Sequence, residues 1–169
     1  MLVFLDTEFT DFIQIDLISV GLVTEDGREF YAERNDYRRE DCSSFVVTEV
    51  LPLLNRIPGA KCSSAHLSFR LREWFSSLEE PITLVFDYPS DWELLADALR
   101  GSLLAELPEN LSETLLIGHD IVSDKKFQEA YESSLERDWP RHHALADARA
   151  LRNAYMEWLL TPKPTLNKL

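Results

Sequence analysis

The sequence predicts an α/β fold: a mixed sheet in which three antiparallel strands come first and later strands alternate with helices, the sheet flanked by helices. Three observations carry this expectation. Residues 2–9 and 17–23 are apolar, β-rich runs, and Glu25-Asp26-Gly27 turns the second of them back into residues 29–32. Beyond Pro81, short apolar runs alternate with segments whose apolar residues recur every three or four positions. The chain has 169 residues, 45% of them hydrophobic, which is enough for one sizeable core. Residues 1–160 are therefore expected to form a single domain and 161–169 a short carboxyl tail.

Each element follows from its local pattern. After the three strands, residues 44–54 have helical spacing until Pro58-Gly59 interrupts it, and residues 66–78 place Leu67, Leu71, Trp74 and Phe75 on one helical face. Residues 82–86 form a short apolar strand, and 91–99 carry Leu94, Leu95 and Ala98 at helical intervals. Residues 114–117 make a further strand and 125–135 a moderately amphipathic helix. The longest helix is predicted over 144–160, with Ala144, Ala148, Leu151, Tyr155 and Trp158 as its buried stripe, and Pro162 and Pro164 end it.

Composition narrows the function classes. Cys42 and Cys62 lie in no CxxC pair and no Cys/His ladder, so two reduced thiols are expected rather than a disulfide framework or a structural zinc. The opening residues, MLVFLDTEF, contain neither a basic leader nor a long apolar run, which predicts a cytoplasmic protein without a membrane anchor. A formal net charge of −13 argues against broad binding to phosphate backbones. Carboxylates that hold cations would exaggerate that acidity, because the ions offset them in the working molecule.

Three acidic sites carry the chemistry. In Phe4-Leu5-Asp6-Thr7-Glu8-Phe9 two acids stand two apart in an otherwise apolar strand, so Asp6 and Glu8 project from one face. Two such carboxylates repel and lose hydration unless a cation or a proton compensates, although two solvated acids at a strand edge would show the same spacing. In Phe86-Asp87-Tyr88-Pro89-Ser90-Asp91, Asp91 opens a predicted helix, where taken by itself it reads first as a helix cap and only in the context of the other acids as a ligand. In Arg141-His142-His143-Ala144-Leu145-Ala146-Asp147, a histidine precedes by five positions an acid in the first turns of the last helix. Asp147 lies beside the buried stripe and faces the sheet; capping and the helix dipole would account for it but leave His142 without a task.

Taken in order, LDTEF, DWELL and HHALADA resemble the three motifs of the DEDDh 3′-to-5′ exonuclease superfamily, whose members have the ribonuclease H-like fold. The His-x-x-x-x-Asp spacing from His142 to Asp147 is the mark of its histidine subclass. Leu17-Ile18-Ser19-Val20-Gly21, the stretch from Val23 to Tyr31, Val50-Leu51-Pro52 and the closing His-x-Ala-Leu-x-Asp-Ala-Arg further resemble the small bacterial exoribonucleases of the ribonuclease AS-like family. The resemblance covers most of the chain and is weakest over residues 99–139.

It implies that Asp6, Glu8, Asp91 and Asp147 hold two Mg²⁺ or Mn²⁺ ions and that His142 prepares the attacking water. Oxygen ligands suit these hard ions, and an imidazole, with a reference pKa of about 6.5, suits a proton acceptor near neutrality. The position of His142 ahead of the last helix would let it swing in when substrate arrives. Asp91 is preferred to Asp87 because the motif sets its acid just before a helix, with Asp87 as competitor. His142 is preferred to His143 on spacing, leaving His143 as a solvent-facing or structural neighbour. Thr7, Phe9 and Trp92 stand beside the acids as contacts for a terminal nucleotide, and Lys125, Lys126, Arg137 and Arg141 as cations for upstream phosphates. The implied substrate is single-stranded RNA or a 3′ overhang of RNA, with DNA or general oligonucleotides as the rival. No membrane partner is implied, and a homodimer is suggested by the family comparison alone. Outside catalysis, a binding module that kept the fold without turnover would be expected to have lost one of the four acids or the histidine, and an acidic interaction protein would scatter its acids and fail to bind Mg²⁺ or Mn²⁺.

Overall fold

The computed structural model describes residues 1–136 and 139–161. Side chains alternate between two faces along β1 (Leu2–Phe9), with Val3 and Leu5 entering one apolar cluster and Phe4 another. β1 is the hub of the sheet. On one side it pairs antiparallel with β2 (Leu17–Thr24), which pairs antiparallel with β3 (Glu29–Arg34). On the other it pairs parallel with β5 (Ile82–Phe86), which pairs parallel with β6 (Leu111–Leu116). A two-residue strand, β4 (Lys61–Cys62), runs parallel to β3 and completes the order β4-β3-β2-β1-β5-β6. The expected architecture is the one observed: antiparallel strands first, parallel strands after, helices on both faces, in agreement with a ribonuclease H-like fold.

Helices α1 (Ser64–Ser76) and α2 (Pro89–Arg100) cover the face to which Val3 and Leu5 point. Leu67, Leu71 and Phe75 are the buried residues of α1, and each stabilises the fold by roughly 1.5–3 kcal/mol through removal from water. α1 begins two residues earlier than its periodicity predicts because the Ser63 hydroxyl accepts the His66 N–H. The opposite face is covered by α4 (Lys125–Ser134) and α5 (Ala144–Leu160), which close over Phe4 and Val85 with Phe127, Leu151 and Tyr155. A single turn, α3 (His119–Val122), leads into α4, whose start is capped by the Asp124 carboxylate on the N–H groups of Lys126 and Phe127.

Three expectations are corrected. Residues 44–54 do not form a regular helix: a π-helical turn over Val46–Val50 runs into a 3₁₀ turn over Leu51–Leu53. Three β-branched residues, Val46, Val47 and Thr48, in succession and then Pro52, which has no N–H to donate, disfavour a continuous α-helix. Asp91 does not open its helix, because Pro89 takes the first position and leaves Asp91 in the first turn, side chain inward. β6 begins at Leu111 rather than at residue 114, since pairing with β5 extends through Ser112 and Glu113, whose polarity hid it.

The two cysteines are free, Cys62 buried and Cys42 half-buried. Among the described residues no helix is long and apolar enough to cross a membrane. The predicted tail beyond Thr161 lies outside the described residues, as does Arg137.

Candidate active site

The alternation that buries Phe4 under α5 also aims Asp6 and Glu8 at that face, just where β1 reaches its carboxyl end beside the end of β5. In open α/β sheets this edge is where crevices form. α5 crosses it very closely. Gly21, paired with Asp6 in the register of β1 and β2, lies under the first turn of α5, and a Cβ there would stand 2.3 Å from the Ala144 carbonyl oxygen. With no side chain at Gly21, the helix rests on the strand backbone and Asp147 is brought to Asp6. A forked ion pair from Arg149 to Glu29, with both contacts at 2.7 Å, fastens α5 to β3.

Two carboxylate triads result, with Asp6 in both. Ligand oxygens of Asp6, Glu8 and Asp147 lie within 4.8 Å of one another, and so do those of Asp6, Asp87 and Asp91. Asp87 and Asp91, alternatives for one position in the sequence, both converge on Asp6 from the end of β5 and the first turn of α2. Asp91 is 3% exposed and accepts a 2.6 Å hydrogen bond from the Thr7 hydroxyl. Asp147 accepts from the Tyr131 hydroxyl on Oδ1 at 2.8 Å and from the His142 backbone N–H on Oδ2 at 2.6 Å. Oδ2 of Asp6 is buried without a hydrogen-bond partner.

Burial and mutual repulsion act together on these acids. Asp6 and Glu8 are held well above the carboxylate range, first by loss of hydration and then by the charges of Asp147 and Asp91. Asp91 is pushed up to about 7 by burial, with the Thr7 hydrogen bond opposing. Burial likewise raises Asp147 and Asp87. An all-carboxylate donor set, one member with a buried oxygen lacking any partner, fits hard divalent cations such as Mg²⁺ or Mn²⁺; among the described residues neither triad includes a sulfur or imidazole ligand of the kind zinc centres use.

The acids line an open cleft of about 230 Å³, shared with Thr7, Phe9, Tyr88, Tyr131, Arg141 and His142. His142 adopts a left-handed backbone, φ 69°, and the Phe45 ring meets its imidazole edge-on at 4.9 Å. Arg141 is the cation of the lining; its guanidinium lies 4.7 Å above the Tyr131 ring and is paired with Glu132. Phe9 continues outward to Phe12, 69% exposed, and then to Tyr88, the rings spaced at 5.3 and 6.3 Å. Trp92 is placed elsewhere, half-buried against the core beneath α2. Lys125 and Lys126 are outside the lining, and Lys125 is paired with Glu129 on its own helix. His143 is not solvent-facing: it is 1% exposed, and burial lowers its imidazole to about 4.

Sequence reasoning missed Tyr131, Phe45 and Phe12. Tyr131 falls at the i+4 position from Phe127 and reads simply as core, while Phe45 and Phe12 pack against the cleft residues His142 and Phe9 from segments with no motif of their own.

No family model matches the chain. Two Mycobacterium tuberculosis proteins, from strains CDC 1551 / Oshkosh and ATCC 25618 / H37Rv and each named a 3′-5′ exoribonuclease, are 52% identical to it over 52 residues. The matched stretch is 30% of this chain and spans 31% of the length of each of these relatives.

Proposed function

We propose that this chain is a two-metal-dependent 3′-to-5′ exonuclease of the DEDDh type that removes nucleotides from the 3′ end of single-stranded RNA or of an RNA overhang. The observation that supports it best is the membership of Asp6 in two carboxylate triads at the mouth of one cleft, with His142 on the rim. The preference for RNA rests on the names of the two relatives, since the carboxylates themselves are indifferent to a 2′ hydroxyl.

In this reading Asp6, Glu8 and Asp147 are the residues that would hold one divalent ion, and Asp6, Asp87 and Asp91 those that would hold a second. When bound, such a pair activates water, neutralises the scissile phosphate and stabilises the departing oxygen. The protein's own groups do the rest. His142 accepts the proton as a water oxygen bonds to phosphorus, and the bond to the 3′ oxygen breaks to release a nucleoside monophosphate and a shortened strand with a new 3′ hydroxyl. Tyr131 and the His142 backbone N–H orient Asp147, and Thr7 orients Asp91, so the acids keep their directions before ions arrive. Arg141 meets phosphate oxygens, and Phe9 offers the terminal nucleotide a ring face.

The test is a time course on 5′-labelled single-stranded RNA and matched DNA with Mg²⁺ or Mn²⁺, comparing wild type with Asp6→Ala and His142→Ala. The expected result is a ladder shortening from the 3′ end, faster on RNA and lost in both variants. Equal rates on DNA would favour a general oligonucleotide exonuclease, and absence of metal-dependent cleavage would overturn the reading.

A further inference from the structure

We propose that His143 is a positioning residue, whose buried ring clamps the start of α5 so that its neighbour His142 is presented to the cleft from a fixed backbone. The proposal rests on the exonuclease reading for its activity readouts and on packing for its geometry. His143 sits between two aromatic rings, stacked on Tyr31 at 4.6 Å and 22° and meeting Trp139 edge-on at 4.8 Å and 85°. Both of its ring nitrogens are buried without a hydrogen-bond partner, so the ring acts through its shape. Both flanking rings are themselves restrained. Tyr31 donates its hydroxyl to the buried Glu33 at 3.1 Å, and the Arg149 guanidinium, forked onto Glu29, lies 5.5 Å from the Trp139 ring centre.

What the clamp holds is an unfavourable backbone. His142 has φ 69°, in the left-handed region that side-chain-bearing residues avoid. Its N–H is directed at Asp147 on one side, while on the other the His143 carbonyl accepts the N–H groups of Ala146 and Asp147 and so begins the helix. Strained residues of this kind persist only where their surroundings over-determine them. The Tyr31–His143–Trp139 stack supplies that restraint, so any swing of His142 is confined to its side chain.

The experiment compares His143→Ala and His143→Phe with wild type and His142→Ala, reading kcat and KM on RNA and, separately, the rate of tryptic cleavage after Arg141 in the folded protein. His143→Ala is expected to lower kcat about 100-fold with KM unchanged, as for a displaced catalytic group, and to speed cleavage after Arg141. His143→Phe, which keeps the ring stack, is expected to retain both kcat and protection. Loss of kcat in His143→Phe with protection intact would overturn the proposal, because the ring nitrogens would then be required. Unchanged kcat and protection in His143→Ala would overturn it as well. If His143→Ala does not fold, the phenylalanine variant decides by the same two readouts. Should the wild type cleave no RNA, the exonuclease reading fails, and tryptic protection alone still tests the clamp.

Discussion

The hydroxyl of Tyr131 and Oδ1 of Asp147 lie 2.8 Å apart, one on α4 and the other on α5, in a buried hydrogen bond that orients a carboxylate of the cleft. Tyr131→Phe removes this bond and little else. Its expected effects are a Mn²⁺ affinity weaker by about 10-fold or more, as for other groups that orient ligands, and a stability loss of about 1 kcal/mol. Calorimetric titration with Mn²⁺ and urea denaturation of the same preparation measure both.

Gly21 has no side chain and meets Asp6 only as its backbone partner in the register of β1 and β2, yet it sets how closely α5 approaches the sheet. Gly21→Ala would put a methyl group 2.3 Å from the Ala144 carbonyl oxygen, so the helix must lift. The expected cost is about 1–3 kcal/mol of stability, accompanied by loss of divalent-ion binding as Asp147 leaves Asp6. Retained Mn²⁺ affinity in a destabilised Gly21→Ala protein would show that the helix start yields without moving Asp147.

The raised acids make stability depend on pH in a stated direction. A carboxyl whose folded pKa exceeds its unfolded value contributes stability that is complete below the unfolded pKa and is lost as pH rises through the folded one. For Asp91 that window runs from the ordinary 3.8 to about 7, and Asp6 and Glu8 are raised in the same sense. The metal-free protein should therefore lose thermal stability across this window. Mg²⁺ should restore it, and Asp6→Asn should flatten the loss. Melting curves at a series of pH values, with and without Mg²⁺, test this, and identical pH profiles for wild type and Asp6→Asn would refute it.

The Thr7 hydroxyl works on Asp91 through a hydrogen bond that opposes the upward push of burial, with the Thr7 backbone acting in the same sense. Thr7→Val keeps the shape and removes the donor, so the Asp91 carboxyl should rise further. The expected result is an acid limb of metal-dependent cleavage moved to higher pH, with kcat on the alkaline plateau little changed. A pH-rate profile of both proteins measures the displacement.

Much of the candidate site was legible because strand alternation and helical periodicity are strict. Asp6 and Glu8 had to share a face of β1, and the stripe through Ala144, Ala148 and Leu151 had to turn Asp147 toward the sheet. What stayed hidden depends on contacts between distant segments. Asp87 and Asp91 looked like rivals because linear spacing cannot show that a strand end and the first turn of α2 converge on one partner. Residues 44–54 had helical spacing but too many β-branched residues and a proline, so backbone chemistry overrode periodicity. The buried place of His143 emerges only when Tyr31 and Trp139 are brought together by the fold.

The acids are contributed in chain order by β1, the end of β5, α2 and finally α5, so Asp147 is synthesised 56 residues after Asp91. At bacterial or eukaryotic elongation speeds that is a delay of roughly 3–11 s, during which the earlier acids exist without the last one. A nascent chain beside its own messenger therefore lacks the Asp6–Glu8–Asp147 triad until α5 has emerged from the ribosome and docked over Gly21. Under the exonuclease reading proposed above, the order of translation thus acts as a safety catch, completing the carboxylate cluster only after the last helix has been made.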